Sequence, residues 1–129
     1  VRRVLELQAK MSIAIFGIGS VHADYPSHVY AGGYLDEDDL NALANSDVVG
    51  DVATVFFRGD GSSDGIVLNE RSTGPALAQL RQVRRRICVV SGVSKINGLR
   101  GALAARLATD LIVDEATARR LVDYEGLTS

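Results

Sequence analysis

Helix-like and strand-like segments alternate along most of this 129-residue chain, which predicts an α/β fold with a largely parallel sheet and one antiparallel excursion. Short apolar runs bounded by glycine and small polar residues mark the strands. Most are followed by a stretch whose apolar residues recur every three or four positions, the spacing of a half-buried helix. The length suits a single domain, residues 1–129, with a core of useful size.

Taken in order, Val1, Val4, Leu5 and Leu7 predict an opening helix reaching about Lys10. Ile13 to Phe16 reads as a short buried strand that ends in Gly17-Ile18-Gly19-Ser20. Val21 to Leu35 carries Pro26, two glycines, His22, His28, Tyr25 and Tyr30 with no period, and reads as a long functional or mobile loop. Asp36 opens an acidic-started helix with Leu40 and Leu43 inward. Asp47 to Phe57 reads as one apolar strand. The turn-rich RGDGSSDG and a partner strand at Ile66 to Asn69 would complete a hairpin. Gly74-Pro75 starts another helix. Ile87 to Val90 predicts a strand covered on both faces. Ser91 to Ser94 then makes a turn into a helix striped by Ile96, Leu99, Leu103 and Leu107. A strand at Leu111 to Val113 and a helix from Asp114 to about Tyr124 finish the order.

Composition excludes several function classes. The net charge is −2 and the arginines are spread along the chain, which argues against a nucleic-acid surface. The one basic run, Arg84 to Arg86, reads as a solvated corner. Cys88 is the only cysteine, so the chain offers neither a disulfide nor a cysteine zinc site, and a reduced, cytoplasmic setting is expected. No apolar run has membrane-span length and no leader pattern is present. Because Val1 falls inside a helical pattern, further residues are expected before it in the parent protein.

The most informative stretch is Arg86 to Arg100, RICVVSGVSKINGLR. Ser94 is placed to cap the helix, which sets Lys95 in its first turn. There a cation is unfavourable by roughly 0.3 to 1 kcal/mol unless an anion is near. Backbone N–H groups, helix dipole and ammonium would together hold a phosphate. The bland alternative is an ordinary strand-to-helix turn beside a surface lysine. Gly17 and Gly19 either let a backbone approach a ligand or make a tight turn. They are not a dinucleotide fingerprint, since His22 occupies the third glycine position. Asp51, among valines, needs a partner: an arginine, a backbone N–H or the hydroxyls of a ligand. Asp114 and Glu115 supply the cap and acidic first turn of the last helix. Two histidines six apart are poor metal evidence, and no nucleophile elbow or Walker-type phosphate loop is present. No metal, cofactor or catalytic constellation is predicted.

Several motifs, in shared order and spacing, resemble the effector-sensing domain of SorC/DeoR-type bacterial transcriptional regulators. They are FGIGS at Phe16 to Ser20, VVGDV at Val48 to Val52, LNER at Leu68 to Arg71, VSGVSK at Val90 to Lys95 and LIVDEATARRLV at Leu111 to Val122. The resemblance implies a Rossmann-like, three-layer fold of the sugar-isomerase and CoA-transferase kind. It is related to glucosamine-6-phosphate deaminases and ribose-5-phosphate isomerases but senses a phosphorylated sugar without converting it. It assigns effector phosphate to Lys95 and sugar hydroxyls to Asp51, and Gly17, Gly19, Ser91, Gly92 and Ser94 are counted beside them as candidate effector contacts. Ser91 stands where the family usually has glycine, and Val113 replaces a threonine. The resemblance also implies a homo-oligomer, a helix-turn-helix outside this chain that reads DNA, and a first half of the effector domain likewise outside it. An isomerase or deaminase of the same fold, or a purely structural oligomerisation piece, are the alternatives.

Overall fold

The computed structural model describes residues 1–21 and 35–124. Its elements are α1 (Arg2–Gln8), β1 (Ile13–Phe16), β2 (Gly19–Ser20), α2 (Glu37–Asn45), β3 (Val48–Val52), β4 (Val55–Arg58), a 3-10 turn Val67–Arg71, α3 (Leu77–Gln82), β5 (Arg85–Val90), a second 3-10 turn Val93–Lys95, α4 (Ile96–Ala104), β6 (Asp110–Val113) and α5 (Glu115–Tyr124). The strands form two sheets. One is parallel, in the order β1-β5-β6, with Phe16 opposite Cys88 and Val90 opposite Val113. The other is antiparallel, β2-β3-β4, with Gly19 opposite Asp51.

Helix α4 joins the two sheets. Its buried face, Ile96, Leu99 and Ala102, enters the main core with Phe57, Cys88 and Val90. Glycines let it lie close to the antiparallel sheet: a Cβ on Gly98 would sit 3.1 Å from Ile18, and one on Gly101 would meet Phe57 and the Arg58 carbonyl at 2.9 Å. Gly50 on β3 has no room for a Cβ at all, because the Gly19 carbonyl occupies the place. A smaller core beneath α2 gathers Leu43, Val48, Phe56, Ile66 and Leu68. Asp36 caps α2 through a reciprocal box with Asp39, as the acidic start predicts.

The expected antiparallel excursion is present but lies elsewhere. The run from Asp47 to Phe57 is two strands, since the chain reverses at Ala53-Thr54 between the paired residues Val52 and Val55. Ile66 to Asn69 is no partner strand. It leads into a 3-10 turn, and the Asn69 side-chain amide pairs instead with the Phe56 backbone, accepting its N–H at 2.7 Å and donating to its carbonyl at 2.9 Å. Leu40 is exposed rather than inward, and α3 begins at Leu77, two residues beyond Pro75. Among the described residues the parallel sheet is covered on one face only: Ile13, Ile15, Val89 and Ile112 are 56, 71, 45 and 58% exposed. The expectation that Ile87 to Val90 is buried on both sides therefore fails within this chain. Arg86 is not a solvated corner either, for its guanidinium donates to the carbonyls of Arg81, Val83, Arg106 and Leu107. The segment with His22, Tyr25, His28 and Tyr30, expected to be a loop, lies outside the described residues.

Candidate functional site

Parallel pairing of β1 with β5 brings the C-terminal ends of both strands to one edge of the sheet, the usual place for a ligand crevice in open α/β sheets. The segments leaving that edge are Gly17-Ile18, which runs into β2, and Ser91 to Lys95. They are neighbours: a Cβ on Gly17 would lie 3.7 Å from the Val89 carbonyl, and the turn Val93–Lys95 packs beside β2. Gly19 pairs with Asp51 across β2 and β3. The structure therefore gathers Gly17, Gly19, Ser91, Gly92, Ser94 and Lys95 at one corner, with the backbone of Asp51 one strand away.

The loop is built differently from the expectation. Gly92 has φ +111°, a conformation that L side chains rarely adopt. The chain then makes a 3-10 turn, with Lys95 N–H donating to the Gly92 carbonyl at 3.0 Å and Ile96 N–H to that of Val93. The α-helix starts only at Ile96, so Lys95 holds the cap position without a side-chain cap bond, and Ser94 lies inside the preceding turn instead of capping. Lys95 is half-buried, and its ammonium makes no hydrogen bond or ion pair among the described residues. Its charge reaches under the loop: burial pushes the Cys88 thiol up to about 11, and Lys95 pulls the other way.

A network from α5 holds the loop from behind. The Gly92 N–H is shared between Asp114 Oδ1 and Thr117 Oγ1, each at 3.1 Å. Asp114 Oδ2 also accepts the Thr117 N–H at 3.2 Å, the N-cap bond the sequence predicts for Asp114. Bonding to the Thr117 hydroxyl first, then to the N–H groups of Gly92 and Thr117, with a smaller share from Ser91, holds the Asp114 carboxyl down to about 2. Thr117 itself is fully buried. The sequence reading found Asp114 as a cap but missed Thr117 and the link to Gly92, which no spacing signals.

Asp51 is buried, and its Oδ2 accepts the Thr54 N–H at 3.2 Å. A backbone N–H is thus one partner of this carboxylate. Gly50, Gly98 and Gly101 were also missed, although isolated glycines inside a strand and a helix signal close backbone approach. Among the described residues no cluster of three or more His, Cys, Asp or Glu could hold a metal ion, and no helix is long and apolar enough to cross a membrane.

Residues 1–123 match the family model described as "Putative sugar-binding domain". The chain is 33% identical over 123 residues to the deoxyribonucleoside regulator of Bacillus subtilis strain 168, covering 95% of this chain and 38% of that protein. Among solved structures, a domain of a possible sugar-binding transcriptional regulator from Arthrobacter aurescens TC1 is 76% identical with a TM-score of 0.86, covering 95% of this chain and 46% of that one. The full-length sorbitol operon regulator SorC of Klebsiella pneumoniae is 25% identical with a TM-score of 0.82, covering 94% and 39%. The chain thus spans less than half the length of each of these relatives.

Proposed function

The chain belongs to the sugar-binding domain family of SorC/DeoR-type bacterial regulators, and from that premise we propose that its Ser91 to Lys95 loop receives the phosphate of a phosphorylated sugar effector. The observation that carries this reading is Lys95: a half-buried ammonium, without an acidic partner among the described residues, beside a glycine-bearing loop at the C-terminal edge of a parallel sheet. A phosphate there gains a charge-assisted contact and the positive end of α4. Gly17 and Gly19 line the neighbouring loop, and Asp51, one strand away, is the group assigned to the sugar hydroxyls.

The same reading makes the chain one part of an effector domain within a cytoplasmic, homo-oligomeric regulator that contacts DNA through a helix-turn-helix outside these residues. Its role is to sense and not to convert, so turnover of a sugar phosphate by the intact regulator would overturn it. The bare face of the parallel sheet supports the partial-domain reading, because such sheets are normally covered on both sides. Lys95→Ala in the intact regulator should weaken binding of the phosphorylated sugar by about 1.5 to 3 kcal/mol, one charged hydrogen bond. Calorimetry on the two proteins decides it, and unchanged affinity removes the phosphate assignment.

A further inference from the structure

We propose that Asp114 and Thr117, on the first turn of α5, are positioning residues for the anion loop: by holding the Gly92 N–H from behind they fix which backbone groups Ser91 to Lys95 can turn toward a ligand. This rests on the phosphate reading of the loop. Its own evidence is geometric. The Gly92 N–H is bonded twice inside the protein, to Asp114 Oδ1 and Thr117 Oγ1, and so is withdrawn from any ligand. The residue so anchored is the one with φ +111°, where the chain changes direction between β5 and the turn Val93–Lys95. From that held amide the chain enters the 3-10 turn Val93–Lys95, and Lys95 leads into α4.

The two side chains divide the task. Asp114 serves two masters, since one oxygen caps α5 through the Thr117 N–H while the other takes Gly92. Thr117 is fully buried, so its hydroxyl cannot trade Gly92 for water, and loss of the clamp would leave a buried donor unmet. Any ligand that shifts the loop also pulls on the N-terminus of α5.

The test uses the intact regulator with inorganic phosphate as probe and follows two readouts, phosphate affinity and deuterium exchange in a peptide spanning Ser91 to Lys95. Thr117→Val should speed exchange in that peptide and weaken phosphate binding roughly two- to tenfold, the worth of one neutral hydrogen bond. Thr117→Ser, which restores the hydroxyl, should recover both; a merely structural threonine would alter the melting temperature and leave the affinity of the folded protein alone. Should Thr117→Val not fold, Asp114→Ala, at a partly exposed side chain, carries the same comparison. Faster exchange with unchanged phosphate affinity overturns the proposal, as does unchanged exchange. If Lys95→Ala leaves phosphate binding intact, the phosphate reading fails instead, and the exchange result still decides whether the clamp exists.

Discussion

At neutral pH the Asp114 carboxylate is an anion committed to the Thr117 hydroxyl and to the N–H groups of Gly92 and Thr117. All three favour the charged form, so its pKa in the fold, about 2, lies below the ordinary 3.8. A group depressed in this way contributes stability that is complete above the ordinary value and is lost as the pH falls through the folded one. Thermal midpoints measured across pH 5 to 2 should therefore drop, and Asp114→Asn, which keeps a capping oxygen but cannot be protonated in this range, should make that drop shallower. An identical acid profile for the variant would show that the bonds to Asp114 do not stabilise its charge. The capping half of this residue was legible in the sequence, as an acid just ahead of an apolar-periodic segment. Its bond to Gly92 was not, because those residues lie 22 positions apart and meet only through the β5 to β6 crossover. Arg86 was misread for the same reason: a run of arginines looks solvated until the carbonyls of two helix ends converge on one of them.

Among the elements, the hairpin of β3 and β4 shows where pattern reading stops. Its turn is Ala53-Thr54, with φ +49° and +68°, positions that Asn-Gly normally fills and that cost a β-branched residue strain. With neither glycine nor asparagine there, the apolar run reads as a single strand. The turn is held by what surrounds it: Asp51 takes the Thr54 N–H, the Thr54 hydroxyl lies 2.7 Å from that of Ser72, and Gly74 leaves space for the Ala53 carbonyl that any larger residue would fill. Replacing Ala53→Asn together with Thr54→Gly should stabilise the fold by about 1 kcal/mol, the left-handed penalty removed less the hydroxyl bond lost. Thr54→Val, which keeps the strain and discards the hydroxyl, should lower the urea midpoint, and a pair of variants moving in the reverse sense would refute this account of the turn. The regular elements were legible because each carries its own period: α2, α4, α5, β1 and β5 all lie within a few residues of their expected places. Asn69 was not, since a side chain that completes a strand edge leaves no period.

For the whole molecule, the open face of the parallel sheet is the feature on which the partial-domain proposal can be tested. Ile13, Ile15, Val89 and Ile112 are strand residues chosen as if for a core, and each is exposed. The apolar run Ile87 to Val90 predicts cover on both faces, and the described residues supply it on one. The match covers 38% of the Bacillus subtilis regulator and 46% of the Arthrobacter aurescens chain, and on the partial-domain proposal the cover for this face would be a segment outside these residues. If that segment lies on this face, Ile15→Ala should cost the domain about 2 to 5 kcal/mol in the intact regulator, as for a buried isoleucine. In the 129-residue chain alone the same change should stay within roughly 0.5 kcal/mol, as for a surface site. Urea unfolding of the four proteins reads the difference directly. Equal small costs in both would leave the face bare in the regulator as well. Sedimentation offers the competing outcome: if the chain alone associates into dimers that Ile15→Arg disperses, the face belongs to a second copy, and the partial-domain reading loses its structural support.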